Sequence, residues 1–186
     1  MGRLSDDVSE ASQERQRRRN KRAHLRDYQP MGDGGYQYTG TYRQCEPEKL
    51  KEQGIRCLIL ATIPFLLLLI VGFIPRTGME GRPYILFPYA IAMILSGATA
   101  WKIVQSIRSE GMLPEHRYHR TAERVTGYAM IGAFLALFGV LGLVFDLATS
   151  RFEGSGAQAA ALGLSLALTF VLLFMSGRKW NDLHWN

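Results

Sequence analysis

"IRCLILATIPFLLLLIVGFI", residues 55–74, decides the fold, because its twenty residues contain a single formal charge, Arg56, near one end. A helix needs about twenty apolar residues to cross ~30 Å of hydrocarbon at ~1.5 Å per residue. A buried helix of a soluble protein rarely stays apolar on every face over that length. The stretch therefore predicts a transmembrane helix.

Three further stretches of similar length, residues 84–101, 125–145 and 157–175, contain no formal charge at all. Strands of a membrane barrel would be shorter and would alternate polar with apolar residues, so a barrel is excluded. We predict an all-α integral membrane protein in which residues 55–186 form four transmembrane helices. The connection 102–124 and a short C-terminal tail lie outside the spans.

The distribution of Lys and Arg predicts the orientation of the chain, because these residues accumulate on the cytoplasmic side of short loops. Only Arg76, Arg82 and Arg151 fall in the connections of one side, whereas eleven Lys and Arg near the spans fall on the other side. We predict that both termini and the connection 102–124 are cytoplasmic. The plasma membrane is the predicted location.

Residues 1–54 form a predicted cytoplasmic tail that is charged and mostly flexible. Its stretch "ERQRRRNKRAHLR", residues 14–26, holds seven Lys or Arg in thirteen positions. The surrounding residues 6–26 predict an exposed helix, since acidic residues come first and basic residues last, as the helix dipole prefers. A solvated arm and an arm that contacts anionic lipid through Arg15–Arg26 both fit this run. Nucleic-acid binding fits less well, because aromatic residues are not interleaved with the basic ones.

The tail continues as a linker rich in Tyr and Gly, residues 28–45. Within it, "YQYTGTYRQ", residues 36–44, alternates in a pattern that could form a two-stranded ribbon about Gly40. A mobile linker and a docking segment with stacking tyrosines remain alternatives.

Small residues recur at a spacing of four in three of the spans. This spacing lets helix backbones approach closely, and close packing drives helix association in lipid. The faces are predicted to pack inside the bundle or against a partner subunit. They are formed by Ala92, Ser96 and Ala100, by Gly132 and Ala136, and by Ala159, Gly163 and Ala167.

Two charged residues at the membrane margins are the functional candidates. Arg56 is expected to extend its side chain to the headgroups. Asp146, five residues before Arg151, is expected to be hydrated at the outer margin, with a proton or ion relay as the alternative. Trp180 and Trp185 near the C-terminus predict an interfacial aromatic belt.

The connection 102–124 is predicted to extend the second and third spans into a helical hairpin. Gly111 would end the incoming helix and Pro114 would begin the outgoing one. On that helix His116, His119 and Glu123 have a spacing that can bind a metal, but no fourth ligand is evident and arginines surround them. We therefore predict no metal site.

No hydrolase elbow, phosphate-binding loop, zincin helix or pair of catalytic carboxylates occurs in the sequence. The sequence therefore predicts no catalytic residue, no cofactor and no enzyme. The preferred hypothesis is an accessory or scaffold subunit that acts on another membrane protein, or on itself, through helix packing and its cytoplasmic tail. A small oligomeric transporter or channel is the first alternative. A membrane enzyme acting on lipids, which would need polar side chains clustered at one depth, is the second.

Overall fold

The computed structural model describes most of the chain beyond the basic run. The predicted helix 6–26, with its lipid-binding candidate Arg15–Arg26, lies outside the described residues. The described residues are 28–30, 36–74, 81–149, 151–152 and 154–185.

Four long helices dominate the described residues, and each is long and apolar enough to cross a membrane. The prediction of four helices long and apolar enough to span a membrane is confirmed, and the described residues also contain four strands of three residues each. The long helices are α1 Pro47–Gly72, α2 Pro83–Ile107, α4 Ala122–Ala148 and α5 Gly156–Asn181. The short elements are β1 Tyr28–Pro30, β2 Tyr36–Tyr38, β3 Tyr42–Gln44, β4 Met112–Pro114 and the single-turn helix α3 Glu115–Tyr118.

The helices are longer than the apolar runs because their ends carry their own signals. Pro47 and Pro83 occupy the first turns of α1 and α2, where the missing N–H of proline costs no hydrogen bond. Ser155 caps α5: its Oγ accepts from the Gln158 N–H at 3.3 Å, and Gln158 Oε1 accepts from the Ser155 N–H at 2.8 Å. α1 begins eight residues before the predicted start. The far end of α5 lies six residues after the predicted end.

The four long helices form a closed antiparallel ring in which each contacts the next and α5 returns to pack against α1. We call the end where α1 begins and α5 finishes the terminal end, and the other end the loop end. One apolar cluster, which includes Cys57, Val125 and Leu173, fills the half toward the terminal end. A second, with Ile85 and Leu166, fills the half toward the loop end.

The small-residue faces pack inside the ring for part of their length. A step of four residues turns a helix by about 400°, so a stripe at this spacing drifts about 40° per step away from the core. Ala167, the last member of its stripe, is accordingly exposed on the outside of α5. The buried members are Ala92, Ser96, Gly132, Ala136 and Ala159, and the half-buried members are Ala100 and Gly163.

Polar side chains join α1 to both of its neighbours in the ring. Between α5 and α1, Ser176 Oγ donates to the Cys57 carbonyl at 3.1 Å, and Cys57 Sγ donates to the Ser176 carbonyl at 3.7 Å. Between α2 and α1, the Tyr89 hydroxyl donates to the Leu68 carbonyl. Such interhelical bonds contribute about 0.6 kcal/mol each on average in lipid.

The connection between α2 and α4 is not the predicted helical hairpin. α2 ends at Ile107, four residues before Gly111, and β4 pairs with β3 in a two-stranded sheet before the short helix α3. Two observations explain the change. Leu113 of β4 is buried in the apolar cluster near the terminal end. Gly111 has a φ of +84° and lies so close to Cys45 that a Cβ at this position would be 2.3 Å from the Cys45 carbonyl oxygen.

The chain divides into two compact units, a larger one that holds the four long helices and a smaller one that holds β1, β2 and residues 114–116. In the smaller unit β1 and β2 pair antiparallel, with Tyr28 opposite Tyr38. The ribbon that residues 36–44 could have formed about Gly40 does not occur, because β2 pairs with an earlier segment and β3 with β4.

Candidate functional site

Asp146 is the centre of a polar cluster at the loop end of the bundle. It lies in the last turn of α4 and has no exposed surface. Its Oδ2 lies 2.9 Å from Nε of Arg82, and its Oδ1 accepts a hydrogen bond from the Tyr84 hydroxyl. Arg82, Tyr84 and Asp146 together form what we call the loop-end cluster.

The start of α2 positions the two partners of Asp146. Arg82 is the residue before the helix and Tyr84 lies in its first turn, so both face the end of α4. The guanidinium of Arg82 also donates to the carbonyl of Arg151 and lies 5.8 Å from the ring centre of Phe152. Its side chain is only 12% exposed, so the ion pair is largely removed from solvent.

The prediction that Asp146 is hydrated is wrong, because the start of α2 covers it. A carboxylate whose two oxygens are occupied by a guanidinium and a phenol holds helices together rather than presenting an open acid or base. The charge pattern of the sequence indicated Arg82 only as a residue that orients the chain, and it did not indicate Tyr84. The available signal was an Arg and an Asp at the ends of two spans on the same side of the membrane.

The second candidate, Arg56, lies in the part of α1 nearer the terminal end and is not brought near Asp146. Its guanidinium pairs with Glu52 at 2.7 Å, and both side chains are more than half exposed. An exposed pair one helical turn apart contributes about 0.3–0.5 kcal/mol. Extension of Arg56 to the headgroups stays a prediction.

Four of the buried hydroxyls inside the bundle bond to carbonyls of their own helices. Ser96 and Thr99 donate to carbonyls one turn earlier in α2, at 2.6 and 2.7 Å. Ser165 and Thr169 do the same in α5, at 2.8 and 2.7 Å. These side chains therefore satisfy their own donors without forming a polar chain from helix to helix.

The terminal end carries an aromatic cluster. Trp180 is 3% exposed, and its Nε1–H donates to the carbonyl of Ala122 at 2.8 Å, tying the end of α5 to the start of α4. The prediction that Trp180 belongs to an interfacial belt is therefore wrong, because the side chain packs inside the bundle. Trp185 is half-buried and its ring lies 5.5 Å from that of Tyr118, which Arg43 approaches at 5.8 Å.

A cleft of about 360 Å³ opens beside this aromatic cluster, between the start of α4 and the end of α5. We call it the terminal cleft. Tyr118, Trp180 and Trp185 contribute rings to its lining, and Glu123 is the charged residue in that lining.

The histidine spacing in the connection produces a hydrogen-bonding contact between side chains. His119 Nδ1 contacts Glu123 Oε2 one turn later on an exposed surface. Within the ranges that the structure describes, no group of three or more His, Cys, Asp or Glu side chains could hold a metal ion.

No protein-family model, curated protein or solved structure matches the chain. The class of protein therefore follows from the architecture of the chain alone. Four apolar helices in a closed ring, joined by buried polar contacts, are the architecture of a small multi-pass membrane protein.

Proposed function

We propose that the protein is an accessory or scaffold subunit of the plasma membrane, with both termini in the cytoplasm, that acts by associating with another membrane protein or with itself. One observation supports this proposal most. The buried polar side chains of the described residues are occupied by contacts inside the bundle: the hydroxyls bond to backbone carbonyls and Asp146 pairs with Arg82. The outer faces of the helices are therefore the surfaces that remain available for binding a partner.

The outer face of α5 suits association because it combines a small residue with large apolar ones. Ala167 is exposed there beside Leu164 and Leu168, whose side chains are 64% and 47% exposed. A small residue lets a partner helix approach closely, and such packing stabilises contacts in lipid. The tail is proposed to add anionic-lipid contact through Arg15–Arg26.

The proposal is tested by extracting the full-length protein from native membranes with its lipids and measuring the mass of the particle. We expect a complex larger than the 20.9 kDa chain, with a reproducible partner or further copies. Ala167→Leu should reduce the complex because the added side chain separates the helices. Val144→Leu, at a 54% exposed position of α4, is the matched control.

A chain that purifies alone as a monomer, or a complex that Ala167→Leu leaves intact, contradicts association through this face. Flux through liposomes containing only the purified protein would instead favour a transporter or channel.

The proposed orientation predicts how the native thiols react in sealed right-side-out vesicles. Cys45 is partly exposed just before α1, whereas Cys57 is buried. We expect a membrane-impermeant maleimide to label Cys45 only after permeabilisation. Burial raises the pKa of the Cys45 thiol above its ordinary value, so the thiolate fraction and the labelling rate should still be rising at pH 9.

Gly156→Cys provides the opposite control. Gly156 is exposed at the loop end, and a side chain there would meet nothing within 4 Å. This cysteine should react in intact vesicles. Labelling of Cys45 without permeabilisation would reverse the proposed orientation.

A further inference from the structure

The terminal cleft has a lining suited to one chemical group. Three aromatic residues, Tyr118, Trp180 and Trp185, line a space whose charged lining residue is the acidic Glu123, one of whose carboxylate oxygens contacts His119. Ring faces and a carboxylate both attract cations, and aromatic cages are the usual sites for quaternary ammonium groups. The guanidinium of Arg43 lies 5.8 Å from the Tyr118 ring centre and itself occupies one face of that ring, so an ammonium group would use the other aromatic lining and Glu123.

From this lining we propose that the terminal cleft binds an ammonium group, as presented by the headgroup of a zwitterionic phospholipid. The inference is independent of the proposed association, because it concerns a different surface from the outer face of α5 around Ala167.

The depth of the cleft favours a lipid as the source of the ammonium group. α4 has 27 residues and is therefore about 40 Å long, whereas the hydrocarbon layer is about 30 Å thick. About one turn at each end of the helix then lies at the level of the headgroups. The cleft uses the first turns of α4, at Ala122 and Glu123, and the end of α5, at Trp180.

Gly127 provides the space that an occupant needs. It lines the cleft, and a Cβ at this position would meet nothing within 4 Å. A larger side chain at Gly127 can therefore enter the cleft without displacing the bundle. Because glycine is a poor helix former, replacing it with leucine should also favour the helix.

The test measures binding of choline to full-length protein in nanodiscs of phosphatidylglycerol, which carries no ammonium group. Two of the three tryptophans line the cleft, so intrinsic fluorescence reports on it, and Trp101→Phe removes the third. We expect a saturable change with choline. The neutral isostere 3,3-dimethylbutan-1-ol should produce none, because it lacks the charge.

Two substitutions and one control locate the binding. Glu123→Gln should weaken choline binding about threefold, the effect of losing an exposed carboxylate. Gly127→Leu should weaken it about tenfold or more by filling the space. Gly156→Leu, equally free of neighbours but at the loop end, should leave the affinity unchanged.

The absence of saturable binding, equal binding of the isostere, or unchanged affinity in Gly127→Leu would overturn the ammonium site. A second measurement uses nanodiscs of phosphatidylcholine, whose headgroups should compete and suppress the choline response. A response that persists undiminished there would overturn the assignment to a lipid headgroup.

Discussion

Asp146→Ala is expected to lower the free energy of unfolding by about 3–5 kcal/mol, because it leaves the guanidinium of Arg82 buried without its partner. Asp146 has no exposed surface and Arg82 is 12% exposed, so water cannot replace the lost carboxylate at little cost. Reversible unfolding in mixed micelles or bicelles measures the change.

A double replacement separates the cost of an orphaned charge from the contribution of the pair. When Arg82→Met accompanies Asp146→Leu, no charge is left unpaired, and apolar replacements of buried pairs are often neutral or stabilising. We expect the double variant to recover most of the stability lost in Asp146→Leu. If the single and double variants lost the same free energy of unfolding, the loop-end cluster would stabilise the bundle by contacts other than the pairing of these two charges.

Gly132→Leu is expected to destabilise the bundle by at least about 1–3 kcal/mol, the usual cost of overpacking a filled interior. Gly132 lies where α4 meets both neighbouring helices. A Cβ at this position would lie 3.0 Å from Leu173 Cδ1 and 3.3 Å from Leu95 Cβ. The same unfolding measurement detects the loss.

Gly127→Leu is the matched control for this prediction, because it makes the same change in the same helix at a position with open space. Its stability should equal or exceed that of the unchanged protein. If both variants lost stability equally, helix backbone effects rather than packing at the Gly132 crossing would be responsible.

The apolar runs predicted the spans because lipid imposes one simple requirement, an uncharged surface long enough to cross it. The ends of the helices followed other rules. α1 begins at Pro47 and α5 is capped by Ser155, both of which lie outside the apolar runs. These residues are known signals for the start of a helix, but a prediction based on hydrophobicity alone does not take them into account.

Contacts between residues that are distant along the chain could not be predicted from the sequence. Asp146 and Arg82 are separated by 64 positions, and only the fold shows that α2 covers the carboxylate. The faces with small residues were predicted in part: Ala92 and Gly132 are buried, whereas Ala167 has turned outward. Residues spaced by four stay on one face of a helix for one or two turns. Beyond that they drift around the helix, and only the structure shows which of them still face the core.

Because α1 packs against α5, the contacts of α1 cannot be completed until α5 has been synthesised. Roughly a hundred residues separate the end of α1 from the end of α5, so at ~5–20 residues per second α1 waits for about 5–20 s before its last neighbour is made. During that interval the Cys57 side of α1 lacks the α5 contacts that cover it in the finished fold. A chain truncated before α5 would leave that side uncovered permanently.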